Sequence, residues 1–177
     1  QVESRTGQGH RIPGGIDLLQ ADAVRAHMTV EARALLQGLE VLHTIDSTNT
    51  EAMRDIKTKT VPAGQVYTAE QQTAGRGRRG REWVSPFARN IYMSTVWQFD
   101  AGAASVEGLS LGVGVAVARA LQSCNIAPIQ LKWPNDVLAS GSKLGGILLE
   151  MTGDASTQCQ VVVGVGLNVA MPASSAG

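Results

Sequence analysis

Between Gly75 and Arg81 the chain reads Gly-Arg-Gly-Arg-Arg-Gly-Arg, four guanidiniums within six positions, separated by glycines. Neither a helical nor a strand period fits this stretch, so any fold the chain adopts must carry it as a loop. Glycine lets backbone N–H groups turn toward one point. Arginine supplies planar, permanently charged forks that match phosphate and carboxylate. A loop with both properties can close over an anionic ligand. The same composition also suits an Arg/Gly tract that clings to nucleic acid, and the rest of the sequence has to separate the two readings.

Charge does part of this. Lys+Arg and Asp+Glu each total 15, so the net charge is zero and a protein-wide basic field for nucleic acid is absent. The positive charge is local: Arg76, Arg78, Arg79 and Arg81 have only Glu82 beside them. Aromatic residues make up 4%, too few for a stacking platform. With 177 residues, 44% apolar and 17% charged, the chain has the makings of one globular domain with a substantial core. Cys124 and Cys159 do not form a disulfide framework and are expected as core residues of a reduced, cytoplasmic protein. His10, His27 and His43 lack zinc spacing. The longest apolar run, Leu109–Ala118, is too short to cross a bilayer. The first residue is Gln, and the chain is read as a fragment or a trimmed product.

Gln1–Gly15 is polar, ends in Pro13-Gly14-Gly15, and reads as a linker or the tail of a preceding module. Helices are expected over about Ala21–Met28 and Val30–Gln37, with Thr29 as N-cap of the second and Gly38 as its stop. Leu39–Ile45 reads as a strand. Asp46-Ser47-Thr48-Asn49 opens another helix, with Thr48 and Glu51 spaced as a capping box. Strands are expected at Gln65–Ala69, Asn90–Phe99, Ile129–Lys132, Leu144–Glu150 and Gln160–Leu167. The run Val161-Val162-Val163 suits a strand covered on both faces. Val106–Ser123 is apolar on nearly all sides and reads as a buried helix, with Gly112 and Gly114 permitting close packing. Strands and helices mix without strict alternation, so the fold class is α+β around a largely covered central sheet.

Four segments carry chemistry together: Asp46–Asn49, Glu70–Arg81 followed by Trp83, Lys132-Trp133-Pro134-Asn135-Asp136 followed by Lys143–Ile147, and Gly164–Asn168. With the GRGRRGR loop, the KWPND turn and the nearby KLGGIL strand, the chain resembles the catalytic domain of bacterial biotin protein ligases over most of Leu39–Ala170. The resemblance implies a mixed sheet with helices, related to class II aminoacyl-tRNA synthetases and lipoate ligases. It also implies ATP-dependent activation of biotin to biotinyl-5′-AMP, with Mg²⁺ sharing the charge, and transfer to a lysine of a biotin carboxyl carrier protein. A lipoate-type acyl-adenylate ligase would use the same reaction on a different acid.

By that resemblance biotin is held by Ser47, Thr48, Asn49, Gln72, Gly75, Arg76, Gly77, Arg78, Lys143 and Gly146. The nucleotide is held by Arg78, Arg81, Lys132, Asn135, Lys143 and Asn168. Lys143 and Arg78 are the catalytic cations, and Asp136 positions or deprotonates the acceptor lysine. The residue types suit these roles. A ureido ring needs donors for its carbonyl and acceptors for its two N–H groups, which Ser, Thr, Asn and Gln supply. Two anions meeting at the α-phosphate need cations. Simpler roles stay open: helix capping for Ser47 and Thr48, a solvated turn for Lys143, a turn cap for Asp136, structural packing for Trp83, and a plain core strand for Gly164 and Gly166.

The resemblance divides the chain into residues 1–16, a linker or the end of a winged-helix domain lying upstream, and residues 17–177, the catalytic domain. An SH3-like domain would follow Gly177. DNA binding would belong to the upstream domain, in a parent protein that also represses transcription, and a homodimer is compatible with the family. No membrane partner is expected.

Overall fold

The β-branched run predicted as a doubly covered strand lies at the centre of the structure. The computed structural model describes residues 3–5, 9–11, 15–102, 106–126, 128–154 and 157–171. In chain order the strands are β1 (Glu3–Arg5), β2 (Gly9–Arg11), β3 (Gly38–Ile45), β4 (Gln65–Gln72), β5 (Ile91–Phe99), β6 (Ile129–Lys132), β7 (Asp136–Ala139), β8 (Ser142–Gly153) and β9 (Cys159–Leu167). The helices are α1 (Ala21–Ala26), α2 (Val30–Leu35), α3 (Thr48–Thr58) and α4 (Leu109–Ser123). β1 and β2 pair as an antiparallel ribbon within the segment read as a linker or wing; residues 12–14 of that segment lie outside the described residues.

The other strands form one mixed sheet in the order β3-β4-β5-β9-β8-β7-β6. β3 and β4 are parallel, joined through α3, and every other pair is antiparallel. This is the α+β architecture expected. Successive residues of β9 point to opposite faces. Val161, Val163, Val165 and Leu167 pack with Val137 and Ile147, against Leu109, Val113, Val117 and Leu121 of α4. Val162 packs with Tyr67 and Val96 against Ala52, Met53 and Ile56 of α3. The two helices therefore cover opposite faces.

α3 is fastened to the sheet by a polar tie as well as an apolar one. Tyr67 Oη donates to Asp55 Oδ2 at 2.6 Å, and Lys59 Nζ lies 2.8 Å from the same oxygen. Burial pushes the Asp55 carboxyl upward, but the Lys59 and Tyr67 hydrogen bonds and the charges of Lys59 and Arg54 outweigh it and hold it below its ordinary value. Burial, then the Asp55 hydrogen bond and charge, raise the Tyr67 phenol. This tie fixes the register of α3, whose first turn reaches the site described below.

Several local expectations change. Thr29 does cap α2, accepting from the Ala32 amide at 3.2 Å. Gly38 does not stop that helix: α2 ends at Leu35, Leu36 is extended, and Gly38 is already the first residue of β3. The capping box is absent. Ser47 is the N-cap and makes no side-chain cap bond, Thr48 bonds Gln72, and Glu51 pairs with Arg54. α4 is not buried all round: Leu111 and Val115 are exposed, and Gly114 alone of its residues is buried. An apolar circumference does not reveal which side a sheet will cover. Gly114 packs against Leu131 and Ile147, whereas Gly112 faces open space. Cys159 is a core residue as expected, but Cys124 is exposed. No helix among the described residues is long and apolar enough to cross a membrane.

Candidate functional site

Register across β5, β9 and β8 builds the floor of the site. Tyr92, Gly166 and Gly146 stand side by side, and the next row on the same face holds Ser94, Gly164 and Leu148. Two side chains fill the space that the glycines leave. A Cβ on Gly164 would lie 2.3 Å from Asn49 Oδ1, and one on Gly166 would lie 2.9 Å from the Trp83 indole. These glycines thus admit Asn49 and Trp83 to the sheet surface, a more specific role than that of a plain core strand.

The first turn of α3 forms the polar wall. Ser47, Thr48 and Asn49 are buried. The Thr48 amide donates to Gln72 Oε1 at 2.9 Å, and the Thr48 hydroxyl lies 3.1 Å from the same oxygen. With its oxygen so occupied, Gln72 has its Nε2 donors left for a ligand. Ser94 Oγ, fully buried, approaches Thr48 Oγ1 at 2.7 Å and donates to Asn49 Oδ1 at 2.6 Å. Asn49 Nδ2 donates to Glu150 Oε2 at 2.8 Å. Ser47, Thr48, Asn49, Gln72, Trp83 and Gly146 are among the residues around a cavity of about 40 Å³.

The arginine stretch is an ordered miniature hairpin. The Trp83 amide donates to the Gly75 carbonyl at 2.9 Å, Arg76 and Glu82 form a bridge, and the Gly77 amide donates to the Arg81 carbonyl at 2.7 Å. The tip, Arg78–Gly80, is a single 3₁₀ turn with Arg79 at φ 58° and Gly80 at φ 71°. Gly75 is buried beneath the hairpin, while Arg76, Arg78 and Arg81 are exposed. The Gly77 amide, expected to face a ligand, closes the hairpin instead. Arg76 is drawn inward: Nη1 donates to Thr50 Oγ1 at 2.6 Å, and Nη2 lies 3.0 Å from Glu150 Oε1.

Beyond Trp83 lies a second cavity of about 420 Å³, lined by Gly77, Arg78, Arg81, Lys132, Asp136 and Lys143 among others. Trp83 and Leu148 border both cavities. Lys143 lies on a strand rather than in the turn, and its side chain is exposed but not without partners. It is the second residue of β8, its Nζ is 2.7 Å from Asp136 Oδ1, and it lies 5.5 Å from the centre of the Trp83 ring. Asp136 begins β7, a strand that sequence reasoning missed, and pairs across the hairpin with Lys132. Asn135 borders this cavity, but its Nδ2 donates to the Ile147 carbonyl at 3.0 Å. Asn168 follows β9, and its amide donates to the Leu144 carbonyl at 2.7 Å.

Of the residues singled out from sequence, Ser47, Thr48, Asn49, Gln72, Arg76 and Gly146 border one cavity, and Gly77, Arg78, Arg81, Lys132, Asn135, Asp136 and Lys143 border the other. Asn168 borders neither. Ser94 and Glu150 were missed. Their signal is periodicity, since Ser94 shares a face with Tyr92, and Glu150 with Gly146 and Leu148. Among the described residues, the buried side-chain polar atoms without a hydrogen-bond partner are Trp83 Nε1 and Asn168 Oδ1. Both belong to segments singled out from sequence, and an unpaired buried donor is a place for a ligand acceptor.

Comparison with known proteins identifies the family. The model of the biotin/lipoate A/B protein ligase family matches residues 41–168. The bifunctional ligase/repressor BirA of Salmonella typhimurium is 41% identical over 165 residues, covering 93% of this chain and 49% of that protein. The chain thus spans about half the length of such curated relatives. The biotin protein ligase of Aquifex aeolicus, solved in complex with biotin and ATP, superposes with a TM-score of 0.64 at 32% identity, covering 78% of this chain and 56% of that one. The biotin protein ligase of Leishmania major, solved with biotinyl-5-AMP, gives a TM-score of 0.65 at 29% identity, covering 76% and 58%. On the family match, the sequence relatives and the shared architecture, this chain belongs to the biotin/lipoate A/B protein ligase family.

Proposed function

We propose that the chain carries the catalytic centre of a cytoplasmic, ATP-dependent biotin protein ligase. The observation that carries this reading is the adjacency of two unlike cavities. One is rich in uncharged hydrogen-bonding groups, and the charge of Arg76 at its border is paired with Glu150; the other is bordered by Arg78, Arg81, Lys132 and Lys143. A molecule lying across them would have an uncharged polar head and an anionic tail, which describes a ureido ring linked through a chain to a carboxylate.

In the first step a biotin carboxylate oxygen attacks the α-phosphorus of ATP. The bond to the bridging oxygen breaks, and pyrophosphate leaves. Gln72 Nε2 and the Ser47 hydroxyl serve the ureido end. Arg78, Arg81 and Lys143 bring the two anions together and offset the charge that builds on the phosphoryl oxygens. A Mg²⁺ brought in with ATP would supply further charge neutralisation. Asp136 and Glu82 are the carboxylates beside the cavity that suit it, since such sites need only one or two. In the second step a carrier-domain lysine, as the neutral amine, attacks the acyl carbon. The bond to the phosphate oxygen breaks, AMP leaves, and the amine gives up a proton. Asp136 is the candidate to receive or orient it, once Lys143 has turned from it to the incoming anion.

Calorimetry with biotin and with lipoic acid tests the reading. Biotin should bind, and lipoic acid, whose dithiolane offers the polar wall no comparable hydrogen bonds, should bind at least about tenfold more weakly. Equal affinity for both would favour a lipoate-type ligase, and binding of neither would remove the assignment.

A further inference from the structure

Of the loop guanidiniums, Arg76 is the one held in an ion pair among the described residues, and the same carboxylate that holds it also holds the polar wall of the site. Glu150 Oε1 and Oε2 lie 3.0 and 3.1 Å from Arg76 Nη2, and Oε2 accepts from Asn49 Nδ2 at 2.8 Å. Glu150 stands on β8 in register with Val162, one row beyond Gly164. It lines neither cavity. From these contacts we infer that Glu150 is a positioning residue: one carboxylate orients Asn49 at the ureido end and anchors the arginine loop through Arg76. The inference rests on the biotin reading above for what the site binds, though not for the contacts themselves.

The orientation argument is one of polarity. An ionised carboxylate only accepts, so the edge of Asn49 that faces Glu150 must be its NH₂. Ser94, a donor, lies at the opposite edge, 2.6 Å from Oδ1. The amide is thereby fixed from both ends, and Gly164 leaves it room. The anchoring argument is one of charge. Arg78, Arg79 and Arg81 repel one another at the hairpin tip, and three glycines give the segment little stiffness of its own. Arg76, bridged to Glu82 through the backbone, is the point where the hairpin grips the sheet and α3, through Glu150 and the Thr50 hydroxyl. Arg76 thus serves as a strut, and the exposed Arg78, Arg79 and Arg81 remain to meet anions. A disturbance of Asn49 by ligand reaches the loop through one shared carboxylate.

Limited trypsin digestion of the ligand-free chain, combined with biotin calorimetry, tests this. Glu150→Gln keeps the size but loses the charge and half of the acceptor capacity. Cleavage after Arg78, Arg79 and Arg81 should quicken about tenfold, and biotin should bind about tenfold more weakly, the scale of losing one charge-assisted contact in a half-exposed site. Arg76→Ala should give the same acceleration at those three bonds, and the double variant should add nothing, because both changes remove one strut. Effects that multiply in the double variant, or cleavage unchanged in Glu150→Gln, would overturn the inference. Should Glu150→Gln fail to fold, Arg76→Ala decides alone: unchanged cleavage refutes the strut, and faster cleavage supports it. A parent chain that binds no biotin would sink the functional reading, while the cleavage cycle would still decide the role of Glu150.

Discussion

The ammonium of Lys143 sits 2.7 Å from Asp136 Oδ1, at the edge of the cation-lined cavity. This pair keeps a cation and a carboxylate waiting at the place where the proposed reaction needs first one and then the other. Removing the cation with Lys143→Ala would leave the carboxylate–phosphate encounter without one of its partners, a loss of roughly 2–5 kcal/mol for a desolvated charge pair. Adenylate formation should fall by at least about 30-fold on that scale. The fold should survive, because Lys143 is exposed and contributes little packing. Circular dichroism together with the rate of pyrophosphate release would check both halves of this prediction. An unchanged rate would return Lys143 to a surface role.

Trp83 should move when biotin binds. The polar cavity, at about 40 Å³, has room for one or two waters and no more, and the indole is its wall toward the larger cavity. A shift of the indole would make room for a bicyclic ligand and would give the unpartnered Nε1 access to an acceptor. In a Trp97→Phe, Trp133→Phe background, the Trp83 emission should change in wavelength or intensity on adding biotin. A spectrum identical with and without saturating biotin would contradict this geometry.

Gly164→Ala should be costly for so small a change. The added methyl would meet Asn49 Oδ1 at 2.3 Å, and Asn49 cannot retreat without leaving Ser94 and Glu150. Overpacking of this kind costs typically about 1–3 kcal/mol. Urea denaturation should report a lower midpoint at constant slope. A midpoint equal to the parent's would mean that Asn49 is free to move.

The Asp55–Tyr67 tie makes a prediction about pH. The Asp55 carboxyl is held below its ordinary value in the fold, so its contribution is present at neutral pH and is lost as pH falls from about 4 through the folded value. Tyr67 is raised, so its contribution is present below about pH 10 and fades above that. Asp55→Asn should therefore cost about 1–2 kcal/mol at pH 7, and the gap from the parent should close as acid is added. A gap independent of pH would show that the ionised carboxylate is not what fastens α3.

The positions of most strands were legible because their signals are local. The β-branched run at Val161–Val163 and the mixed apolar pattern of Ile91–Phe99 mark strands wherever they occur. The site segments were legible as chemistry but not as contacts. Asn49 and Glu150 are 101 residues apart, and only the register of β5, β9 and β8 sets Ser94 and Glu150, two partners of Asn49, in adjacent rows. β7 was hidden because its four residues begin inside the Lys132–Asp136 turn motif, which reads as punctuation. Gly38 was misread because glycine stops a helix and begins a strand equally well. Nothing local at Gly164 and Gly166 says which side chains use the room they leave, and in the structure Asn49 and Trp83 fill it.

Biotin-dependent exchange of labelled pyrophosphate into ATP tests the central claim most directly, because it requires the adenylate to form and revert at this site and requires no carrier protein. With Mg-ATP present, label should enter ATP when biotin is added, should not enter with lipoic acid in its place, and should fall at least about 30-fold in Lys143→Ala. Exchange that proceeds equally without biotin, or no exchange in a folded chain that binds both biotin and ATP, would contradict the account.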